Sequence, residues 1–163
     1  MLISFDTLPK NARIWIFPSS RLLSPAEVEK IELHSSTFLQ SWTAHKMDLD
    51  AAFKIVDRAF LIISVDEKNT GASGCSIDKL HQFVKELGAE LSLSFLERLN
   101  VTFLQENGET SILPLKEIEQ KIQHAEINAN TKVYDITLLS VEELSSKFKV
   151  PLSNTWLNRY LMN

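Results

Sequence analysis

A chain of 163 residues with 44% apolar and 23% charged side chains is long enough to bury a sizeable core and has the balance of an ordinary soluble globular protein. A formal net charge of −4 without any Lys/Arg run leaves out the electrostatic signature of nucleic-acid binding, and the longest strongly apolar run, Ala59-Phe60-Leu61-Ile62-Ile63, is far too short for membrane insertion. One cysteine, Cys75, excludes an internal disulfide and a thiolate zinc site, and with an N-terminus lacking a basic signal-like region it points to a reducing cytoplasm.

Residues 1–12 read as an irregular leader ending in Leu8-Pro9-Lys10-Asn11. Arg13-Ile14-Trp15-Ile16-Phe17 is β-branched and aromatic, and Pro18-Ser19-Ser20 stops it, which predicts a strand. Ser24-Pro25-Ala26-Glu27 is a capping box with proline at the first helical position. Val28, Ile31, Ser35 and Phe38 carry that helix to about Gln40. No helical stripe runs from Trp42 to Glu67. A strand within His45–Val56, a turn at Asp57-Arg58 and a strand over Ala59–Val65 are expected as an antiparallel pair, although no Asn-Gly fixes the turn.

A polar loop, Asp66 to Gly71, precedes a second helix from about Ser76. Ile77, Leu80, Phe83, Val84 and Leu87 share its face, and Gly88 is its expected stop. Leu91–Leu96 and Val101–Leu104 read as strands and Asn107-Gly108 as a turn. Pro114 opens a helix bearing Leu115, Ile118, Ile122 and Ala125 on one side. Thr131–Thr137 is a further strand. Ser140 and Glu143 form a second capping box ahead of Val141, Leu144 and Phe148. Pro151 breaks that helix, and Ser153 caps a short last one with Trp156, Leu157 and Tyr160.

The order over residues 13–96 is β-α-β-β-α-β, which is ferredoxin-like, followed by a C-terminal β-α-β and helices. The expectation is a single α+β domain over 1–163, with a mostly antiparallel sheet and helices on one face.

Chemistry centres on Ser73-Gly74-Cys75-Ser76-Ile77-Asp78, which sets the only cysteine at a helix start. Unpaired N–H groups and the positive end of the helix dipole attract negative charge there. This makes Cys75 a candidate nucleophile, with His45 or His81 as base and Asp78 as orienter. The competing reading is a small, inert residue packed at a tight junction, so burial and slow reaction are the expectation. Asp66, Glu67 and Asp78 with His45 would make an oxygen-rich cation site, but no ligand spacing supports a metal, and a polar turn explains them equally. Trp15, Trp42 and Trp156 are expected in the core, and Arg21, Arg58, Arg98 and Arg159 in surface ion pairs. His34, His81 and His124 sit on helices at unrelated spacings.

Trp15 with Ser19 and Arg21, Trp42-Thr43-Ala44-His45, Val65-Asp66-Glu67, the Ser73–Asp78 hexapeptide, and Pro151-Leu152-Ser153-Asn154-Thr155-Trp156 with Arg159 form a pattern spanning Arg13 to the C-terminus. It resembles a family of small bacterial proteins of unknown function, some of them labelled "ABC transporter ATPase". In that pattern a glycine commonly follows the histidine. Lys46 stands there in this chain and argues against a tight turn. The resemblance implies no established activity and no catalytic residues.

The label itself conflicts with the residues. Gly71, Gly74, Gly88 and Gly108 are the only glycines and none precedes Lys-Ser or Lys-Thr, so there is no phosphate-binding loop and ATP hydrolysis by that machinery is excluded. The favoured reading is a cytoplasmic domain, without cofactor, that binds a small ligand or a protein partner, a homodimer included. Its expected surface joins Trp42, His45, Asp66, Glu67, Ser73 and Ser76. The alternative is a small enzyme using Cys75 or the Asp66, Glu67 and Asp78 carboxylates.

Overall fold

The computed structural model describes residues 1–162. Its strongest local signals build the first layers. Strand β1 (Arg13–Pro18) leads into helix α1 (Pro25–Gln40), where Ser24 accepts the Glu27 N–H and the Glu27 carboxylate accepts the Ser24 N–H, completing the capping box. A short hairpin, β2 (Thr43–Ala44) and β3 (Met47–Asp48), precedes β4 (Asp50–Val56) and β5 (Phe60–Asp66). Helix α2 (Gly74–Glu90) follows.

The first sheet has the order β1-β5-β4 and is antiparallel throughout, in a register from Arg13↔Val65 to Pro18↔Phe60 and from Asp50↔Asp66 to Val56↔Phe60. The β4–β5 turn forms without glycine. Asp57 (φ 52°) and Arg58 (φ 54°) both take the left-handed conformation, as a type I′ turn requires.

A second antiparallel sheet uses β6 (Asn100–Leu104), β7 (Thr110–Pro114), β8 (Lys132–Tyr134) and β9 (Lys149–Pro151) in the order β7-β6-β8-β9. Helices α3 (Leu115–Gln123) and α4 (Val141–Lys147) and a 3-10 segment, Trp156–Met162, complete the chain.

Strand alternation sorts the side chains into three cores. Phe17, Leu61, Ile63 and Val65 face α1 and α2, against Ile31, Leu39, Leu80 and Val84. On the opposite face Ile14, Ile16, Phe60 and Ile62 meet Tyr134, Leu138, Leu144 and Phe148. The far side of the second sheet, with Val101, Phe103 and Val133, packs on Ile118 of α3 and on Leu152 and Leu157. The α+β class and the antiparallel pairing are as expected. The helices are not confined to one face, because α4 and the second sheet cover the back of the first.

The order β1-β5-β4, antiparallel throughout, is the one a split β-α-β unit gives, but the fourth strand that would complete a ferredoxin-like core is missing, since Leu91–Leu96 is not a strand. Leu91, Leu93 and Phe95 do alternate, but α2 overruns Gly88 to Glu90, and Ser92 (φ 54°) then turns the chain. The Leu93 N–H bonds to the Gly88 carbonyl at 2.9 Å, so the segment closes the helix instead of joining a sheet. Leu91 and Phe95 are buried as anchors.

A Cβ on Gly88 would lie 2.9 Å from the Leu93 carbonyl oxygen. Gly88→Ala gains about 1 kcal/mol in helix propensity but must push backbone against backbone, and a net loss of about 1–2 kcal/mol is expected in urea unfolding. A variant as stable as the parent contradicts that close approach.

Other departures have local causes. The strand expected over Thr131–Thr137 shortens because the Asp135 carboxylate accepts both the N–H (2.9 Å) and the hydroxyl (2.6 Å) of Thr137, turning the chain. Ser140 accepts the Glu143 N–H, while the Glu143 carboxylate reaches back one residue further, to the Leu139 N–H at 2.7 Å. Thr155, rather than Ser153, accepts from the last segment, at the Leu157 N–H. The leader is docked: Ile3 N–H and Met1 C=O bond Ala51 beside β4, and Phe5 packs in the second core.

Candidate binding surface

The residues singled out by sequence gather where β1 starts and β5 ends. Trp42, following α1, is buried, and its indole N–H donates to the Ser76 carbonyl at 2.9 Å. Ser76 is buried too. Its hydroxyl donates to the Ser73 carbonyl at 2.8 Å, and its N–H donates to the Ser73 hydroxyl, which caps α2. Glu67 accepts the Ala72 N–H at 3.1 Å and stands 3.7 Å from the Arg13 guanidinium. Asp66 accepts the Lys68 N–H at 3.0 Å. The Thr70 hydroxyl lies 3.7 Å from the Met47 sulfur, which ties this loop to the hairpin carrying His45.

Trp42, Ser73 and Ser76 are thus brought together, but as a mutually satisfied joint between α1 and α2. His45, Cys75 and Asp78 are exposed, and the side chain of none makes a hydrogen bond or ion pair among the described residues. Asp66, Glu67 and Asp78 do not converge on a cation position, since no group of three or more metal-ligating side chains occurs among the described residues.

Three expectations, for Cys75, for the His45–Lys46 turn and for Trp156 in the core, are corrected here. Cys75 is exposed, not buried. The inward stripe of α2 runs through Ser76, Leu80, Val84 and Leu87, and Cys75 lies about 100° round the helix from Ser76. A tight turn does form at His45 (φ 51°) and Lys46 (φ 66°), because the two-residue β2–β3 connection needs the left-handed conformation whatever its side chains. Of the tryptophans, Trp15 is half-buried, edge-on to Trp42 at 6.0 Å, while Trp156 is 45% exposed with Arg159 over its ring.

The main concavity lies elsewhere. Pro18 is five residues along β1 from Arg13, about 17 Å away in an extended strand. Beyond it opens a cleft of about 640 Å³, walled by Leu99, Pro114 and Leu115, with Ser20, Asn100 and Lys116 around it. Three hydrogen bonds hold its walls: Ser20 N–H to the Ser94 carbonyl at 2.8 Å, Ser94 N–H to the Ser20 hydroxyl at 2.9 Å, and Leu115 N–H to the Leu99 carbonyl at 2.8 Å. Glu97 and Glu119 add carboxylates. A smaller recess of about 200 Å³ adjoins at Asn100 and is lined by Arg98 and Trp156. Exposed Leu99 in the cleft and exposed Trp156 in the recess thus flank Asn100, which lines both. No sequence signal marks the cleft, because its walls come from three separate segments.

Two polar clusters lie outside the cleft. Arg21 forms a two-pronged pair with Glu27 (2.9 and 2.7 Å) and also reaches the Leu91 carbonyl (2.9 Å), linking the start of α1 to the end of α2. That guanidinium, with the Ser24 N–H, holds the Glu27 carboxyl down to about 2. At the β4–β5 turn, Asp57 accepts from the Tyr134 hydroxyl and from Lys149 Nζ at 2.9 Å. Burial pushes the Asp57 carboxyl up, but Tyr134 and Lys149 outweigh it and leave it lowered. Burial and Asp57 raise the Tyr134 hydroxyl, and Asp57 raises Lys149.

Comparison with protein-family models, with curated proteins and with solved structures gives no match to this chain. Fold and surface together define an α+β protein built on a three-stranded and a four-stranded antiparallel sheet, with an open cleft beside Leu99 and Leu115. No helix among the described residues is long and apolar enough to cross a membrane.

Proposed function

We propose that the protein is a binding domain whose ligand is a small organic molecule with an apolar body and polar ends, held in the cleft between Leu99 and Leu115. The observation that carries this reading is a concavity of about 640 Å³ with apolar walls and a few polar groups, a size that suits small-molecule ligands. Lys116 and Glu119, neighbours one turn apart on α3, together with Glu97 suit a ligand bearing both a negative and a positive or hydrogen-bonding group. A cytoplasmic setting goes with it, since a single exposed thiol suits a reducing compartment. ATP turnover is not expected, for want of a phosphate-binding loop.

The test is a fragment screen read by amide chemical shifts. Ligands are expected to move Leu99, Asn100 and Leu115, and Leu99→Asp is expected to abolish those shifts while leaving the fold intact. Hits confined to the His45–Asp78 loops, or hits indifferent to Leu99→Asp, would refute it.

The exposure of Cys75 favours a second reading, thiol chemistry in the first turn of α2. Iodoacetamide labelling separates the two. As a binding domain the native protein is expected to label at the rate of an ordinary accessible thiol, and Cys75→Ser to shift stability by no more than about 0.5 kcal/mol. Labelling far faster than a free thiol moves the second reading to first place.

A further inference from the structure

Strands β6 and β8 are paired at Phe103↔Val133 alone. The Asp135 carboxylate turns the chain after β8, so Thr102 on β6 parts company with Thr137. The recess of about 200 Å³ opens in that gap, with Pro18 and Trp156 also lining it. Thr102 is 5% exposed, and its hydroxyl makes no hydrogen bond among the described residues. Ser35 Oγ is the one unpartnered side-chain polar atom among them that is shut off from solvent. The Thr102 hydroxyl therefore keeps some access, and what it opens onto is the recess that Thr102 lines. A hydroxyl so deeply set and unpaired is a group that a ligand can satisfy.

Arg98, exposed, lines the same recess. Arg13 and Arg21 face carboxylates, Arg58 donates to the Leu23 carbonyl, and Arg159 lies over Trp156 and Tyr160. Arg98 has no such partner among the described residues, although its sequence position suggested an ion pair. No carboxylate lines the recess, whereas Glu97 and Glu119 line the main cleft. Arg159, 5.9 Å from the centre of the Trp156 ring, adds a second positive charge nearby.

We propose that the recess is a second binding site, separate from the main cleft, for a single-ring aromatic carboxylate. A cavity of about 150 Å³ takes benzene, so one substituted ring fills this one. The carboxylate pairs with the planar guanidinium of Arg98. The ring lies against Trp156, and a hydroxyl at its far end bonds Thr102.

The probe is para-hydroxybenzoate, followed by titration calorimetry and by amide chemical shifts. Saturable binding that moves the Thr102 and Thr137 amides is expected. The uncharged para-hydroxybenzamide should bind about tenfold more weakly, and Arg98→Gln should cause the same loss with unchanged circular dichroism. Thr102→Val keeps the side-chain shape. It should weaken para-hydroxybenzoate about fivefold and leave benzoate, which lacks the hydroxyl, unaltered. A merely structural role for Thr102 would move both. No saturation at millimolar probe, or binding indifferent to Arg98→Gln, overturns the proposal. So do shifts at Leu115 and Glu119 in place of Thr102 and Thr137, a result that would favour the main cleft. A fragment screen that finds nothing in that cleft leaves this titration unchanged, so the two readings fail separately.

Discussion

Trp42→Ala is expected to lower stability by about 3–5 kcal/mol, a large part of what holds a domain of this size folded. The side chain is 2% exposed and packs with Phe38 (ring centres 5.6 Å apart) and Trp15 (6.0 Å). Truncation leaves a void where α1, α2 and the first sheet meet. It also strips the Ser76 carbonyl of its indole donor. Trp42→Phe separates the two effects, since it keeps most of the apolar bulk and forfeits only the hydrogen bond, at about 1–2 kcal/mol. Chemical denaturation measures both. An alanine variant within about 1 kcal/mol of the parent would show that the joint between the helices is not where the structure sets it.

Asp57→Ala should cost about 2–3 kcal/mol by the same measurement. Asp57 is both a turn residue and an anchor. Alanine tolerates its left-handed φ poorly, and without the carboxylate neither Tyr134 nor Lys149 has its partner from the first sheet. Asp57→Asn keeps the turn and removes only the charge, so its cost should be smaller, about 1 kcal/mol.

The pH dependence follows from the directions of shift. Asp57 and Glu27 are both lowered on folding, so each contributes stability that is fully present above the ordinary carboxylate range and is lost as pH falls, for Glu27 down to about 2. Lys149 and Tyr134 are raised, so their contributions are present below the ordinary values, near 10, and are lost as pH climbs past them. A plateau from about pH 5 to 9 is expected, with an acid limb that Asp57→Asn makes shallower. An acid limb identical in the parent and Asp57→Asn would exclude this carboxylate from it.

What was legible in the chain was whatever rests on neighbours in sequence. Ser24-Pro25-Ala26-Glu27 encodes its helix start within four residues, and the run Arg13–Phe17 encodes its strand, because capping and β-propensity are local. Strand β7 escaped because Pro114 looks like a helix start. It is one, but an edge strand also tolerates proline at its last residue. Leu91, Leu93 and Phe95 misled for the opposite reason. Their alternation is that of a strand, while the tie from Leu93 back to Gly88 is invisible to a pattern of apolar residues. The small neighbours of Cys75 suggested burial, but which residue faces inward depends on where Leu80 and Val84 lie on the far side of a turn. The cleft was illegible in principle, as Ser20, Asn100 and Lys116 have no spacing that marks them as neighbours.

The middle core has a consequence for the order in which the protein is made. The back of the first sheet, with Ile14, Ile16, Phe60 and Ile62, is covered by Tyr134, Leu138, Leu144 and Phe148, and the Ile14 N–H bonds to the Leu139 carbonyl at 3.1 Å. A chain emerging from the ribosome can close its first hairpin and dock two helices while that apolar face is still bare. It stays bare until some eighty further residues of the sequence, from Asp66 to Phe148, have been synthesised and released from the exit tunnel. During that interval the growing polypeptide is a natural client for chaperones, and a ribosome stalled before Tyr134 leaves a fragment primed to aggregate.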